Sequence, residues 1–403
     1  METMAFDVAR ARADTPGCGE VLHLNNAGAS LPPRQVLDAQ LEWLQQEAVV
    51  GGYELADRRA DDNERVYDRV AALIGARREE IALVENATFA WHQAFWSLPL
   101  RPGDRVLTCE VEYATSFISF LQAIERRGIT IDVIPSDAHG EIDTAALAAM
   151  LDGRTGDGRP AAGRVGLVAV AHVPTNGGVV NPAEEIGRLT RAAAVPYLLD
   201  ACQSVGQLPV DVDAIGCDLL AATGRKWLRA PRGTGFLYAR TEVLDGMEPA
   251  FLDLDGATWT APDRYELRPD ARRFENWESN RAAVIGLGEA AAYAMGWGLD
   301  AIAERVTGLA AGLRDRLREV PGVELRDLGE RPSGIVTFTR DGIDPDVAQP
   351  ALAARGINVS VTHASSTLLD AERRRLPPMF RASVHYYNDD RELDRFCDVV
   401  SGL

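Results

Sequence analysis

From about residue 60 the chain alternates short apolar strand patterns with amphipathic helical ones, and few architectures accept that alternation. A period of two repeatedly gives way to a period of 3.6, as a mostly parallel sheet covered by helices requires. Candidate strands lie at residues 81–84, 105–109, 130–134, 165–170, 197–200, 219–222 and 235–238. Helical patterns at 116–127, 144–151 and 183–193 fall between them, each closed by a turn or strand signal. The expected fold class is therefore α/β with a doubly wound, mostly parallel sheet. Residues 152–163, rich in Gly, Arg and Asp, read as a surface loop, because the strand pattern resumes directly after them. An alanine-rich helical region at 281–317 precedes new strand patterns at 323–326 and 334–339. We expect a large domain over 21–294 and a smaller α+β domain formed by 295–403 with 1–20.

Charge and composition exclude several functions. A chain of 403 residues, 46% hydrophobic, can bury a large core. Its 42 Lys plus Arg against 60 Asp plus Glu leave a formal charge of -18, a field that repels nucleic acid and anionic membrane but admits small substrates to a locally basic pocket. No apolar run approaches the roughly 20 residues that a bilayer crossing needs, and the first sixteen residues carry acids where a signal peptide needs a basic start. The expectation is a cytoplasmic enzyme with no nucleic-acid or membrane partner. Cys18, Cys109, Cys202, Cys217 and Cys397 are scattered and contain no C-x-x-C pair, which reads as reduced, buried thiols. His23, His92, His139, His172, His363 and His385 form no H-x-x-x-H or H-E-x-x-H arrangement, so no metal site is expected.

Three segments carry chemistry. Thr223-Gly224-Arg225-Lys226-Trp227 follows an apolar strand and precedes Arg232-Gly233-Thr234-Gly235. A lysine there, beside a second cation and partly desolvated, has a lowered pKa and is a candidate nucleophile toward an aldehyde; a solvated loop lysine is the plain alternative. Asp200 ends the strand pattern Pro196-Tyr197-Leu198-Leu199, with Gln203 three residues on. A carboxylate at the carboxyl end of such a strand faces the ligand crevice, although a helix N-cap explains it equally well. Asn86-Ala87-Thr88 is a polar break before an apolar helical stretch, a common cap that can also bind phosphate through free N–H groups. Neither G-x-x-x-x-G-K-[ST] nor G-x-G-x-x-G occurs, which removes the usual support for ATP or dinucleotide binding.

Together these segments resemble the class V aminotransferase family of fold type I pyridoxal-phosphate (PLP) enzymes, which includes cysteine desulfurases, selenocysteine lyases, cystine lyases and isopenicillin epimerases. The resemblance spans about residues 22 to 397. Its motifs occur in family order: Leu24-Asn25-Asn26-Ala27-Gly28, Asn86-Ala87-Thr88, Glu112-Tyr113, His172 to Asn176, Asp200-Ala201-Cys202-Gln203, Thr223 to Lys226 and Phe380-Arg381-Ala382-Ser383. It implies Lys226 as the Schiff-base lysine, Asp200 as partner of the pyridine nitrogen and Gln203 as donor to the phenolic oxygen. Thr88, Thr223, Arg225 and the backbone N–H of Ala87 would hold the phosphate. Tyr113 stands where the family stacks a ring, often histidine, on the cofactor. Thr175 stands where an asparagine often serves the phenolic oxygen or the substrate, with Asn176 adjacent. Arg381 resembles the clamp for the substrate α-carboxylate, which a planar guanidinium binds through two parallel hydrogen bonds. The backbone of Ala27 and Gly28 would approach the same carboxylate. The family further implies a homodimer, with residues 273–280 near the interface.

Two departures bear on the reaction. The loop Val359-Ser360-Val361-Thr362-His363-Ala364-Ser365-Ser366 places Ser365 where a cysteine desulfurase carries its persulfide-forming cysteine, and serine forms no persulfide. Glu278 lies where the desulfurase branch supplies a threonine to the neighbouring subunit's phosphate, and a carboxylate there repels phosphate unless it turns away. The runs Val50-Gly51-Gly52-Tyr53 and Arg225-Lys226-Trp227-Leu228 also look like ergothioneine-pathway sulfoxide lyases. The leading expectation is a carbon–sulfur lyase that eliminates across the α and β carbons without a persulfide. An aminotransferase or epimerase uses the same cofactor groups, and a cofactor-free binding module is the alternative of another class.

Overall fold

The structure, a computed structural model, describes residues 6–403. Its centre is a seven-stranded sheet in the spatial order Ile81–Val84, Gly235–Ala239, Leu219–Thr223, Tyr197–Asp200, Val165–Ala171, Arg105–Cys109 and Thr130–Ile134. Every neighbouring pair is parallel except the two made by Gly235–Ala239, which runs against both of its neighbours. The strands match their sequence patterns, three of them running one residue further. Val165–Ala171, Leu219–Thr223 and Gly235–Ala239 are buried throughout, as strands covered by helices on both faces must be.

Alternate residues of these strands feed two separate cores. Leu107, Leu199, Leu220 and Phe236 pack on one face with Trp43, Val70 and Ile74. Val106, Leu198, Leu219 and Leu237 pack on the other with Trp91, Phe95 and Phe120. The chain leaves Arg105–Cys109 toward one edge of the sheet and returns to place Val165–Ala171 on its other side, after which Tyr197–Asp200 and Leu219–Thr223 extend the sheet the opposite way. The reversal opens a crevice at the carboxyl ends of these two strands, where ligands of open α/β sheets bind.

A second, antiparallel sheet follows in the order Val323–Leu325, Ile335–Arg340, Met379–Ser383 and Ser360–Thr362. The helical region expected at 281–317 is two helices, Arg281–Trp297 and Leu299–Arg318, bent by 80° at Gly298. Gly298 has φ +84, a left-handed conformation that a glycine adopts without strain. Leu22–His23, read as the start of the large domain, instead pairs in parallel with Ile357–Asn358, and Asn25 bridges to Ser383. Among the described residues no single helix is long and apolar enough to cross a membrane.

Arg229 joins these parts. It is fully buried, at φ +63, three residues past Lys226. Its guanidinium donates to the Leu31 carbonyl at 2.8 Å, the Tyr386 hydroxyl at 2.7 Å and Thr15 Oγ1 at 2.5 Å. It also lies 4.7 Å from the Tyr387 ring centroid, so ring faces and neutral oxygens, pre-arranged by both ends of the chain, offset the cost of burying the charge. Arg229→Met removes these charge-assisted bonds and should cost about 3 kcal/mol, read as a lowered thermal unfolding midpoint.

Candidate active site

The crevice at the strand reversal is a small, partly enclosed cleft. Lys226, Asp200, Thr223, Arg225, Ala87, Thr88, Tyr113 and Thr175, far apart in sequence, all line it. Lys226 follows the fully buried strand Leu219–Thr223, so its side chain emerges at the carboxyl edge of the sheet. Burial pushes its ammonium pKa down, Arg225 and Arg381 lower it further, and Cys202 and Asp200 oppose them. The net direction favours the neutral amine, the form that condenses with an aldehyde.

At one end of the cleft Asn86 Oδ1 accepts the Phe89 N–H at 2.9 Å and caps the helix Ala87–Ser97. Ala87 and Thr88 thus contribute first-turn N–H groups, and Thr88 is exposed. Arg225 Nη1 donates to Thr223 Oγ1 at 2.9 Å beside them. Gly235 permits this assembly: a Cβ there would lie 2.7 Å from the Ala222 carbonyl and 3.0 Å from the Ala87 nitrogen. Asp200 is no helix cap, since its Oδ1 accepts the Cys202 N–H at 2.8 Å within a turn. The donor set fits pyridoxal phosphate: a desolvated lysine, a strand-end carboxylate, and a cradle of N–H, hydroxyl and guanidinium groups. Arg381 is buried beside the cleft, and its Nε has no hydrogen-bond partner among the described residues. An orphaned buried donor of this kind awaits an anion.

Several expected contacts are redirected. Both N–H groups of the Gln203 amide are engaged, by the Ala27 carbonyl at 3.1 Å and Thr175 Oγ1 at 3.3 Å, while Trp227 Nε1 donates to its Oε1 at 2.8 Å. Gln203 therefore has no spare proton for a phenolic oxygen. Ala27 N–H donates to Ser383 Oγ at 2.9 Å and Gly28 N–H to the Asn25 carbonyl at 3.0 Å. The tight turn at Asn25 has used the two backbone donors expected for the substrate. Asn176 is buried outside the cleft, its amide bound to residues 362–367. Tyr113 lines the cleft, 41% exposed and open to stack on a ring.

Glu112 belongs to a sequence motif, yet its role was invisible from its residue type. It is buried, accepting the Tyr113 N–H at 3.1 Å and the Thr108 hydroxyl at 3.4 Å. Burial, with the charge of Asp200 second, pushes its carboxyl up to about 8. Asn25 also belongs to a motif, and its Oδ1 lies 3.4 Å from Arg381 Nη2, a contact that no local pattern marks.

The class-V aminotransferase profile matches residues 22–396. The chain belongs to the class-V aminotransferase family. It is a PLP-dependent enzyme with the fold type I architecture, which retires the cofactor-free binding module. A relative from Methanothermobacter thermautotrophicus, named a probable cysteine desulfurase, is 29% identical over 388 residues, covering 95% of this chain and 94% of that one. The apo structure of a cysteine desulfurase from Thermococcus onnurineus superimposes with a TM-score of 0.90 at 26% identity, covering 100% of this chain and 99% of that one. A cystine carbon–sulfur lyase in complex with its product cysteine persulfide shares the fold at a TM-score of 0.84 and 23% identity, covering 96% and 99%.

The raised Glu112 carboxyl has a consequence for stability. In the folded chain it keeps its proton after the unfolded chain has released it, so stability falls as pH rises from the ordinary carboxylate range toward 8. Glu275, pushed up to about 7 chiefly by burial, adds to the same fall. Glu112→Gln should flatten the fall and leave the Glu275 part, as urea unfolding of the cofactor-free protein at pH 6 and pH 8 will read.

Proposed function

We propose that this enzyme cleaves the carbon–sulfur bond of a cysteine-derived L-amino acid by β-elimination, without a protein persulfide. The observation that carries the proposal is a lysine-bearing cleft, flanked by a buried arginine with a free donor, with Ser365 on the loop where a persulfide-forming cysteine is expected. Ser365 is exposed on the short turn Ala364–Ser366. Among the described residues Cys202 is the one cysteine lining the cleft, and burial, with Asp200 second, pushes its thiol well above the ordinary range. A protonated thiol is a poor sulfur acceptor. The relatives named above are cysteine desulfurases and a cystine lyase, and both names describe C–S cleavage in cysteine-type substrates.

When bound at Lys226, pyridoxal phosphate supplies an electron sink conjugated to the substrate α-carbon. Arg381 holds the α-carboxylate, which fixes the bond to be broken. Asp200 would keep a proton on the ring nitrogen of the bound cofactor. The Lys226 amine would take the α-proton and return a proton to the departing sulfur. The Cα–H and Cβ–S bonds break, a thiol leaves, and water hydrolyses the released enamine to pyruvate and ammonia, with no net redox change. Ala87, Thr88, Thr223 and Arg225 would hold the phosphate, and Tyr113 would stack on the ring.

We place the protein in the cytoplasm on its five unpaired thiols, and as a homodimer on its exposed apolar side chains. Phe251, Leu254, Trp259 and Trp277 expose 67%, 69%, 77% and 47% of their surface around the expected interface segment, an unusual concentration for a monomer. Light scattering should give twice the chain mass; a fully active monomer retires the dimer.

Incubation of the holoenzyme with cysteine thioethers should release pyruvate, ammonia and thiol, and with cysteine sulfoxides pyruvate, ammonia and sulfenic acid, without converting cofactor to pyridoxamine phosphate. Lys226→Ala should abolish the reaction and Ser365→Ala should leave it intact, with no sulfur adduct on any cysteine by mass spectrometry. Accumulation of pyridoxamine phosphate with a keto acid makes the enzyme an aminotransferase instead, and racemisation without pyruvate makes it an epimerase.

A further inference from the structure

Thr175 and Asn176 stand where the family resemblance puts cofactor contacts, yet their hydrogen bonds reach toward the small sheet. Arg381 Nη1 donates to Thr175 twice, to Oγ1 at 2.9 Å and to the carbonyl at 3.0 Å. Nη1 carries two protons, so that corner of the guanidinium is filled. Nη2 reaches Asn25 Oδ1 at 3.4 Å with one proton, while Nε is buried without a partner among the described residues. What remains of Arg381 is its Nε–Nη2 edge, two parallel donors at the spacing a carboxylate accepts. Thr175 therefore selects the edge of the arginine that stays free.

Asn176 does the same for the neighbouring loop. Its Nδ2 donates to the His363 carbonyl at 3.2 Å and to Thr367 Oγ1 at 3.1 Å, and its Oδ1 accepts the Thr362 hydroxyl. Both amide protons and the carbonyl thus go to residues 362–367, the segment that exposes Ser365. Thr362 ends the strand Ser360–Thr362, which pairs with Met379–Ser383 so that Ser360 faces Arg381. Two consecutive residues, just past the carboxyl end of Val165–Ala171, grip two adjacent strands of the other sheet. Arg373 adds an ion pair to Glu110 at 3.1 Å from the same side, but half-exposed pairs contribute little.

We propose that Thr175-Asn176 is a clasp of two positioning residues that sets the carboxylate-binding edge of Arg381 and seats the 362–367 loop beside the cleft, without ligating the cofactor. The clasp rests on the reading of Arg381 as the substrate-carboxylate site. It selects α-amino acids with a free carboxylate, because an amide or ester does not offer two equivalent anionic oxygens to the unfilled edge.

The test uses the holoenzyme and 2-methylalanine, which has no α-proton to lose, followed as a change in the cofactor absorbance band. Thr175→Val and Asn176→Ala should bind pyridoxal phosphate as the wild type does, with an unshifted band before ligand is added. Thr175→Val should weaken 2-methylalanine binding about tenfold, the loss of one charge-assisted bond, and Thr175→Ser should restore it. The amide of 2-methylalanine should bind wild type and Thr175→Val equally. Asn176→Ala should speed hydrogen exchange across residues 362–374. Loss of cofactor or a shifted band in either variant before ligand is added overturns the clasp and makes the pair cofactor ligands. Unchanged 2-methylalanine affinity in Thr175→Val, or unchanged exchange in Asn176→Ala, overturns it as well. No arm needs turnover, so a failed pyruvate assay and a failed clasp are separate results.

Discussion

Burial of both faces of the central sheet governs the rest of this molecule. Strands such as Val165–Ala171 and Leu219–Thr223 have every side chain packed between helices, so polar groups reach a common space only where the strands end. Because the chain reverses direction between Arg105–Cys109 and Val165–Ala171, the ends part and leave a cleft. Lys226, Asp200 and Thr175 meet there because each closely follows, or ends, a buried strand. The desolvation that lowers the lysine pKa and raises Glu112 comes from the same burial.

The site is shared between two sheets, and its two halves do different work. The large sheet presents the groups suited to the cofactor, with Gly235 allowing the capped helix start at Ala87 to approach the strand edge. The small sheet presents Arg381 from Met379–Ser383. The contact between them is made of hydrogen-bonded polar side chains: Gln203 donates to Ala27 and Thr175, Arg381 donates to Thr175, and Asn176 bonds Thr362 and Thr367. A polar network of this kind fixes relative position more sharply than an apolar contact, since its hydrogen bonds are directional, and the one buried donor it leaves unpaired among the described residues is Arg381 Nε. Arg229 plays the matching part beneath the lysine loop.

Much of this was legible beforehand, for identifiable reasons. Strand bounds were readable because fully buried parallel strands are unbroken apolar runs flanked by turn residues, and Lys226 and Asp200 were readable because a charged residue directly after such a run is out of place. The break at Gly298 was missed because one glycine in an alanine-rich helical pattern costs only about 1 kcal/mol and carries no other mark. Gln203 and the Ala27-Gly28 backbone were assigned to ligands, but residue type does not reveal which donors the protein has already used. Asn176 was read as a substitute for its neighbour on adjacency alone, whereas consecutive residues in a loop point in different directions.

By itself the sequence determined the strand segments and the doubly wound class and, through its resemblance to a known family, the cofactor, because periodicity and short motifs are local properties of the chain. Tertiary structure alone decided which polar atoms remain free. Arg381 keeps its Nε unpaired because Thr175, more than two hundred positions away, occupies Nη1, and the Glu112 carboxyl is pushed up because the fold buries it and brings Asp200 near. Hydrogen-bond saturation and desolvation depend on neighbours that only folding supplies.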